Sequence, residues 1–241
     1  MKYKNIESAT FLARPNRFIA KVKLQGQEVV CHVKNTGRCK ELLVPGAKVY
    51  LEKSTNPLRK TLYDLVAVKK GSLLINMDAQ APNQAAQEWL AAGGLGPLTL
   101  MKPETTYGDS RFDFYLEKGS QKGFLEVKGV TLEKDGLVSF PDAPTERGVK
   151  HIQELIKCHQ EGYLAYLLFV IQMEPVKYFR PNWETHPAFA EALIEAKAAG
   201  VRLLAYSCHE VSFHKPNPVS YFYHKTSLLF YNLNIIAFMP A

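Results

Sequence analysis

The chain has 241 residues, 46% of them hydrophobic and 22% charged, with a net charge of +7. These figures exclude a disordered chain and, at roughly 150 residues per domain, allow one or two domains with substantial cores. The charge is unevenly spread: residues 1–82 carry 15 basic and 6 acidic side chains, whereas residues 83–241 carry 15 and 17. A surplus of +9 confined to the first third points to a polyanionic partner there.

The N-terminus, MKYKNIESATFLARPNRF, lacks the apolar core of a signal peptide. No stretch approaches the roughly 18 apolar residues that span a bilayer. A cytoplasmic location without a membrane partner is therefore expected. The cysteines, Cys31, Cys39, Cys158 and Cys208, form no Cys-x-x-Cys pair and read as reduced thiols rather than a zinc site.

In chain order, Phe18 to Leu24 alternates apolar and polar residues, Gln25-Gly26-Gln27 turns, and Val29 to Val33 resumes a strand. Pro45-Gly46 marks a turn before a strand at Lys48 to Leu51. Thr61 to Lys69 and Ser72 to Ile75 form a further pair around Lys70-Gly71. About five short strands without a long helix suit a small closed or nearly closed barrel of the oligonucleotide-binding (OB) type over residues 1–82. Basic residues stand beside its turns: Arg14 and Arg17, Arg38 and Lys40, Arg59 and Lys60. With Phe18, Tyr50 and Tyr63 they could track a phosphate backbone and stack on bases. Aromatics in the core and an ordinary solvated surface are the plainer alternative.

Ala81-Pro82-Asn83 ends this pattern and marks a domain boundary, with Asn83 capping a helix from Gln84 to Ala92 that Gly93-Gly94 stops. Residues 83–215 then read as mixed α/β. Strands at Arg111 to Glu117 and Gly123 to Val130 flank a turn at residues 118–122. A helix from Glu146 to Gln160 places Val149, Ile152, Leu155 and Ile156 on one face, with Gly162 as its stop. Leu164 to Met173, His186 to Ala199 and Val201 to Ser207 form a strand–helix–strand unit, so part of this sheet is expected to be parallel.

Chemistry concentrates in Asp113 and Glu126-Val127-Lys128. Alternate strand residues share a face, which pairs Glu126 with Lys128. The midpoint of Asp113 and Glu126 falls at Gly119–Ser120, so a hairpin folded there sets the two carboxylates on neighbouring strands, β-carbons on the order of 5 Å apart. Such a pair repels itself unless a cation lies between. An oxygen-only site completed by water and a phosphate oxygen suits Mg²⁺ or Mn²⁺, with no organic cofactor. Lys128 could orient an attacking water or hold charge developing on phosphorus. Asp…Glu-x-Lys is the pattern of metal-dependent nucleases, and Glu88 on the preceding helix could add a third carboxylate. A solvated strand face is the ordinary alternative for Glu-x-Lys. Downstream, Phe140 to His151 stiffens a loop with two prolines and leads into a helix. Its Arg147, Lys150 and His151 are expected on the face away from Val149 and Ile152, available to phosphate.

These residues resemble the sugar fermentation stimulation protein family. The resemblance runs through Arg14-Pro-Asn-Arg-Phe18, His32-Val-Lys-Asn-Thr-Gly-Arg38, Ser54-Thr-Asn-Pro57, Arg59-Lys-Thr61, Ser110-Arg-Phe-Asp-Phe114, Glu126-Val-Lys-Gly-Val-Thr-Leu132 and Phe140 to His151, within residues 10 to about 210. It implies an OB-like barrel followed by a domain similar to PD-(D/E)xK nucleases. It also implies DNA binding with little sequence preference and a link to regulation of sugar (maltose) metabolism. The nuclease pattern falls on Asp113, Glu126 and Lys128, with Glu88 as a helical glutamate.

The reading that follows is a DNA-binding protein with a nuclease-like metal site; a homo-oligomer is compatible with it. An active Mg²⁺-dependent phosphodiesterase is the first alternative, and an enzyme acting on a phosphorylated sugar is a weaker one. From about His209 the resemblance stops. Residues 216–241 hold one formal charge, Lys225, and six aromatics. An added docking segment, a tail without fixed structure and a frame-shifted end are the alternatives for this apolar stretch.

Overall fold

The computed structural model describes residues 3–35 and 37–208, so the apolar stretch 216–241 lies outside the described residues. Those described form two compact units, one of residues 3–81 with 171–176 and 207–208, the other of residues 82–170 with 177–206.

The first unit is built on strands β1 (Ile6–Asn16), β2 (Ile19–Leu24), β3 (Gln27–Val33), β4 (Lys48–Lys53), β5 (Tyr63–Lys70) and β6 (Leu73–Asn76). In β2 the alternation read from the sequence is realised: Ala20, Val22 and Leu24 are buried while Lys23 faces out. β1 pairs antiparallel with both β2 and β4, β2 with β3, and β4 with β5. A short parallel contact of β3 with β5, His32 opposite Asp64 and Val33 opposite Leu65, closes the ring. The result is a closed five-stranded barrel of β1–β5 around Phe11, Val22, Cys31, Val49, Leu51 and Leu65, with β6 paired outside it on β5. The expected strand number holds with different membership. β1, whose Ile-Glu-Ser-Ala-Thr-Phe-Leu-Ala-Arg-Pro-Asn has no clean period of two, takes the place assigned to residues 72–75. Register shifts at Phe11/Ala13 and Ala13/Asn16 bend β1 so that it serves both neighbours.

One end of this unit is a buried polar network. Asp78 is 0% exposed and its Oδ2 accepts from Lys34 Nζ at 2.6 Å and Tyr3 Oη at 3.2 Å. Asn76 N–H donates to Gln172 O at 2.9 Å, and Gln172 Nε2 donates to the carbonyls of Asn76 and Asp78, each at 3.1 Å. Each buried polar group thereby gains a partner. Burial, together with the Asp78 charge, pushes the Tyr3 hydroxyl far above its ordinary range.

The second unit opens with α1 (Ala81–Ala91), followed by β7 (Leu100–Tyr107), β8 (Ser110–Lys118), β9 (Gln121–Val130), β10 (Leu132–Lys134), β11 (Leu137–Phe140), α2 (Glu146–Gln160), β12 (Leu164–Ile171), β13 (Tyr178–Pro181), α3 (Pro187–Ala199) and β14 (Arg202–Ser207). Its main sheet has the order β14-β12-β9-β8-β7, and β10-β11-β13 form a smaller one. β12 and β14 are neighbours with α3 between them in sequence, the expected strand–helix–strand arrangement. α1 starts before Asn83 rather than after it, because Pro82 is preorganised for a first helical turn and Asp78 receives the Ala81 N–H. α2 has the expected bounds, with Thr145 capping the Gly148 N–H. Its buried stripe is Gly148, His151, Ile152, Leu155 and Cys158, rotated from the one expected, since Gly148 admits Phe189 of α3 at close range.

Candidate functional site

The β8–β9 hairpin turns at Gly119, where φ is +62°, and pairs Lys118 with Gln121 through to Phe114 with Leu125. Continuing this register sets Asp113 opposite Glu126. The backbone ladder ends one pair short, and the Asp113 side chain takes over: its Oδ2 accepts the Val127 N–H at 2.7 Å. Its other oxygen, Oδ1, accepts from Asn83 Nδ2 at 2.7 Å. Asn83, read as a cap, thus sits in the first turn of α1 and serves the hairpin. A proline before it, the signal for an earlier helix start, was available in the sequence.

Glu126 lies on the central strand β9 and is 3% exposed. Its Oε1 accepts from Lys128 Nζ at 2.6 Å and from His151 Nδ1 on α2. Its Oε2 is buried without a hydrogen-bond partner. Burial alone would raise the Glu126 carboxyl, but the His151 hydrogen bond and the Lys128 charge outweigh it and hold it below the ordinary range. Asp113 goes the other way: burial first, then the Glu126 charge, push its carboxyl up to about 6, against smaller opposing contributions from Val127 N–H and Asn83. Neighbouring carboxylates pushed apart in this manner are what a bound cation would reconcile.

Lys128 is therefore joined to Glu126, as shared strand parity required. His151 departs from the exposed face expected of it. It is 5% exposed, and Arg147 Nε donates to its Nε2 at 3.3 Å. A buried position was open to it because Arg147 and Glu126 satisfy both ring nitrogens. Arg147 and Lys150 stay exposed, Lys150 Nζ reaching Asp109 O at 3.2 Å. Glu88 is exposed, and five residues after Asn83 it points about 140° further round α1. The α1 side chain on Asp113 is Asn83. Among the described residues no three His, Cys, Asp or Glu side chains form a metal-holding group. The residues present fit a hard cation of the Mg²⁺ type, which rests on one or two carboxylates plus water and phosphate.

In the first unit the basic residues divide into two kinds. Arg17, Arg38, Lys40 and Lys60 are exposed. Arg14 is half-buried, and its guanidinium donates to the carbonyls of Gly37, Arg38, Arg17 and Asn35 at 2.6–2.9 Å. It organises the two loops that carry Arg17 and Arg38. Arg59 forks onto Asp64, Nη1 to Oδ2 at 2.8 Å and Nη2 to Oδ1 at 2.6 Å, and His32 Nδ1 lies 3.2 Å from the same Oδ1. These three basic loops gather about the end of β3. Of the aromatics, Phe18 is exposed with Arg17 over its ring, Tyr50 is buried, and Tyr63 Oη donates to Glu7. Among the described residues no helix is long and apolar enough to cross a membrane.

Comparison with known proteins bears on both units. The family model described as the SfsA N-terminal OB domain matches residues 12–77, and the Sugar fermentation stimulation protein RE domain matches residues 80–212. A sugar fermentation stimulation protein homolog of Desulfitobacterium hafniense is 56% identical, covering 86% of this chain and 91% of its own. One of Clostridium beijerinckii is 57% identical, with 86% and 92% covered. The solved structure of Pyrococcus furiosus SfsA in complex with Ca²⁺ superposes with a TM-score of 0.81 at 28% identity, over 92% of this chain and 95% of that one. With an OB barrel, a sheet-rich second domain and matches across both, the chain belongs to the sugar fermentation stimulation protein family.

Proposed function

We propose that this chain binds DNA with little sequence preference through the basic loops of its barrel and holds a divalent cation, Mg²⁺ or Mn²⁺, between Asp113 and Glu126. The observation that carries the reading is Glu126 Oε2, buried and unpartnered beside an Asp113 carboxyl that burial and then the Glu126 charge push up to about 6. An unsatisfied carboxylate oxygen in such a place is costly unless something positive completes it. The P. furiosus relative is described as a complex with Ca²⁺, a cation with the same preference for oxygen ligands. The barrel contributes the positive surface: four exposed Arg and Lys residues on loops that Arg14 and Asp64 hold in place.

A second reading, phosphodiester hydrolysis at the same site, is favoured by Lys128, whose ammonium lies 2.6 Å from Glu126 Oε1. When bound, the cation would supply positive charge to a phosphate oxygen and acidify a bound water. Lys128 would place its ammonium where charge develops on phosphorus, and Arg147 and Lys150, exposed on the first turns of α2, would engage flanking phosphates.

Three measurements test these readings. Calorimetric titration with Mn²⁺ should show one site in the wild type that Glu126→Gln removes; no heat in the wild type sinks the cation reading. DNA affinity should fall steeply with salt and weaken in Arg17→Ala/Arg38→Ala, and a salt-insensitive complex would contradict the barrel's role. Plasmid should be cut with Mn²⁺ by the wild type and left intact by Lys128→Ala, which still binds it. Equal cutting by both means the activity lies elsewhere.

A further inference from the structure

We infer that His151 is a positioning residue for Glu126, locked by Arg147 as the Nδ1–H tautomer, so that Oε2 is the glutamate oxygen presented to a cation. The inference rests on the reading of Asp113 and Glu126 as cation ligands and assigns this buried histidine a part in it.

Donors and acceptors around the ring decide the tautomer. A guanidinium Nε always carries a hydrogen and never accepts. Arg147 Nε donates to His151 Nε2, so that ring nitrogen presents its lone pair. A neutral imidazole has one N–H, which must then be on Nδ1, the nitrogen facing Glu126 Oε1. This is the reverse of the tautomer that a free imidazole side chain favours in water. Oε1 accordingly receives two donors, from His151 and Lys128, while Oε2 receives none. The asymmetry fixes both the rotation of the carboxylate and which oxygen is left over.

The frame around the ring is stiff. His151 is one turn beyond Gly148, where an added Cβ would come within 2.9 Å of Thr145 and 3.0 Å of Phe189, so α2 is pressed closely against α3. Thr145 Oγ1 caps the Gly148 N–H at 3.1 Å, and the Thr145 N–H donates to His186 Nδ1 at 3.3 Å. A ring carried on so fixed a helix turn can orient a carboxylate on the neighbouring sheet, in the manner of the outer partners that orient metal ligands. An exposed His151 would have faced phosphate. Burial removes it from that role and turns it toward Glu126.

The test uses the full chain. Nitrogen-15 NMR of the metal-free wild type should show the His151 Nδ1–H tautomer, with Nε2 unprotonated. Calorimetric titration with Mn²⁺ alone should find affinity weakened about 10–100-fold in His151→Leu. His151→Asn, whose Nδ2–H₂ reaches the place of Nδ1–H, should recover most of that loss. A purely space-filling role predicts no such rescue, because Asn fills the slot less well than Leu. An Nε2–H spectrum, equal Mn²⁺ affinity in His151→Leu and wild type, or Asn as weak as Leu would each overturn the inference. If His151→Leu does not fold, the spectrum and the Asn variant decide. A wild type that binds no Mn²⁺ overturns the cation reading itself and, with it, the role assigned to Oε2, whatever the tautomer.

Discussion

Replacing Asp113 by asparagine should make the metal-free protein more stable at neutral pH, although it deletes a carboxylate of the candidate cation site. In the folded chain, burial first and then the Glu126 charge move the Asp113 carboxyl from the ordinary 3.8 up to about 6. Between those pH values the folded state keeps a proton that the unfolded state has released. The stability contributed by protonated Asp113 is therefore complete below about pH 4 and is lost as pH rises through 6. At about 1.4 kcal/mol per pH unit the loss is about 2–3 kcal/mol by pH 7. Asparagine cannot ionise. Its Oδ1 still accepts the Val127 N–H, and Asn83 with its amide turned over offers an oxygen to the new Nδ2. Urea denaturation of wild type and Asp113→Asn at pH 4, 5, 6 and 7, without metal, reads the difference directly. Relative to wild type the variant should gain about 2–3 kcal/mol across that range, on the order of 5 °C or more in Tm. Mn²⁺ at 1,000 times Kd should reverse the order, since its binding adds about 4.1 kcal/mol to the wild type alone. A difference that does not change with pH, or a variant that loses ground between pH 4 and 7, would refute the account of Asp113.

Lys34→Met should destabilise the first unit by about 3–5 kcal/mol, because it leaves the fully buried Asp78 carboxylate without its ammonium; denaturant midpoints measure it, and Asp78→Asn in the same chain should recover part of the loss. Arg14→Ala should lower stability by about 2–3 kcal/mol and weaken DNA binding as well, although the Arg14 Nη atoms are taken up by backbone carbonyls; an unchanged midpoint would show that the four carbonyl bonds are dispensable. Gly123→Ala should cost about 1–3 kcal/mol, since the new methyl would stand 2.5 Å from the backbone oxygen of Leu164; a neutral result would mean that β12 gives way freely.

The elements legible in the sequence are those whose signal is local. β2 alternates cleanly because one face meets the barrel core. α2 carries a cap, a stop and a stripe, so its bounds follow from the chain alone. β7 is an edge strand containing Pro103 and largely exposed residues, so neither period nor composition marks it. β1 hides for another reason: serving two partners through register shifts breaks its alternation. At the candidate site the juxtaposition of Asp113 and Glu126 was arithmetic on a two-residue period, and Lys128 followed from strand parity. The part played by Asn83 and the burial of His151 depend on where α1 and α2 come to rest against the sheet. No local pattern encodes that. Arg14 and Asp64 likewise reveal their task of holding other cations in place only once loops distant in sequence are side by side.

The buried network at Asn76, Asp78 and Gln172 has a consequence for how the protein is made. The run of strands β1–β6 ends at Asn76, yet the groups that complete this end of the unit belong to Gln172, 96 residues later. At synthesis rates of about 5–20 residues per second, the ribosome takes about 5–20 s to supply it. Through that interval the Asn76 N–H and carbonyl that Gln172 will pair have only water in its place. A barrel expressed alone would stay permanently in this unfinished condition. The first unit is completed only by its own late segment, residues 171–176, made after most of the second.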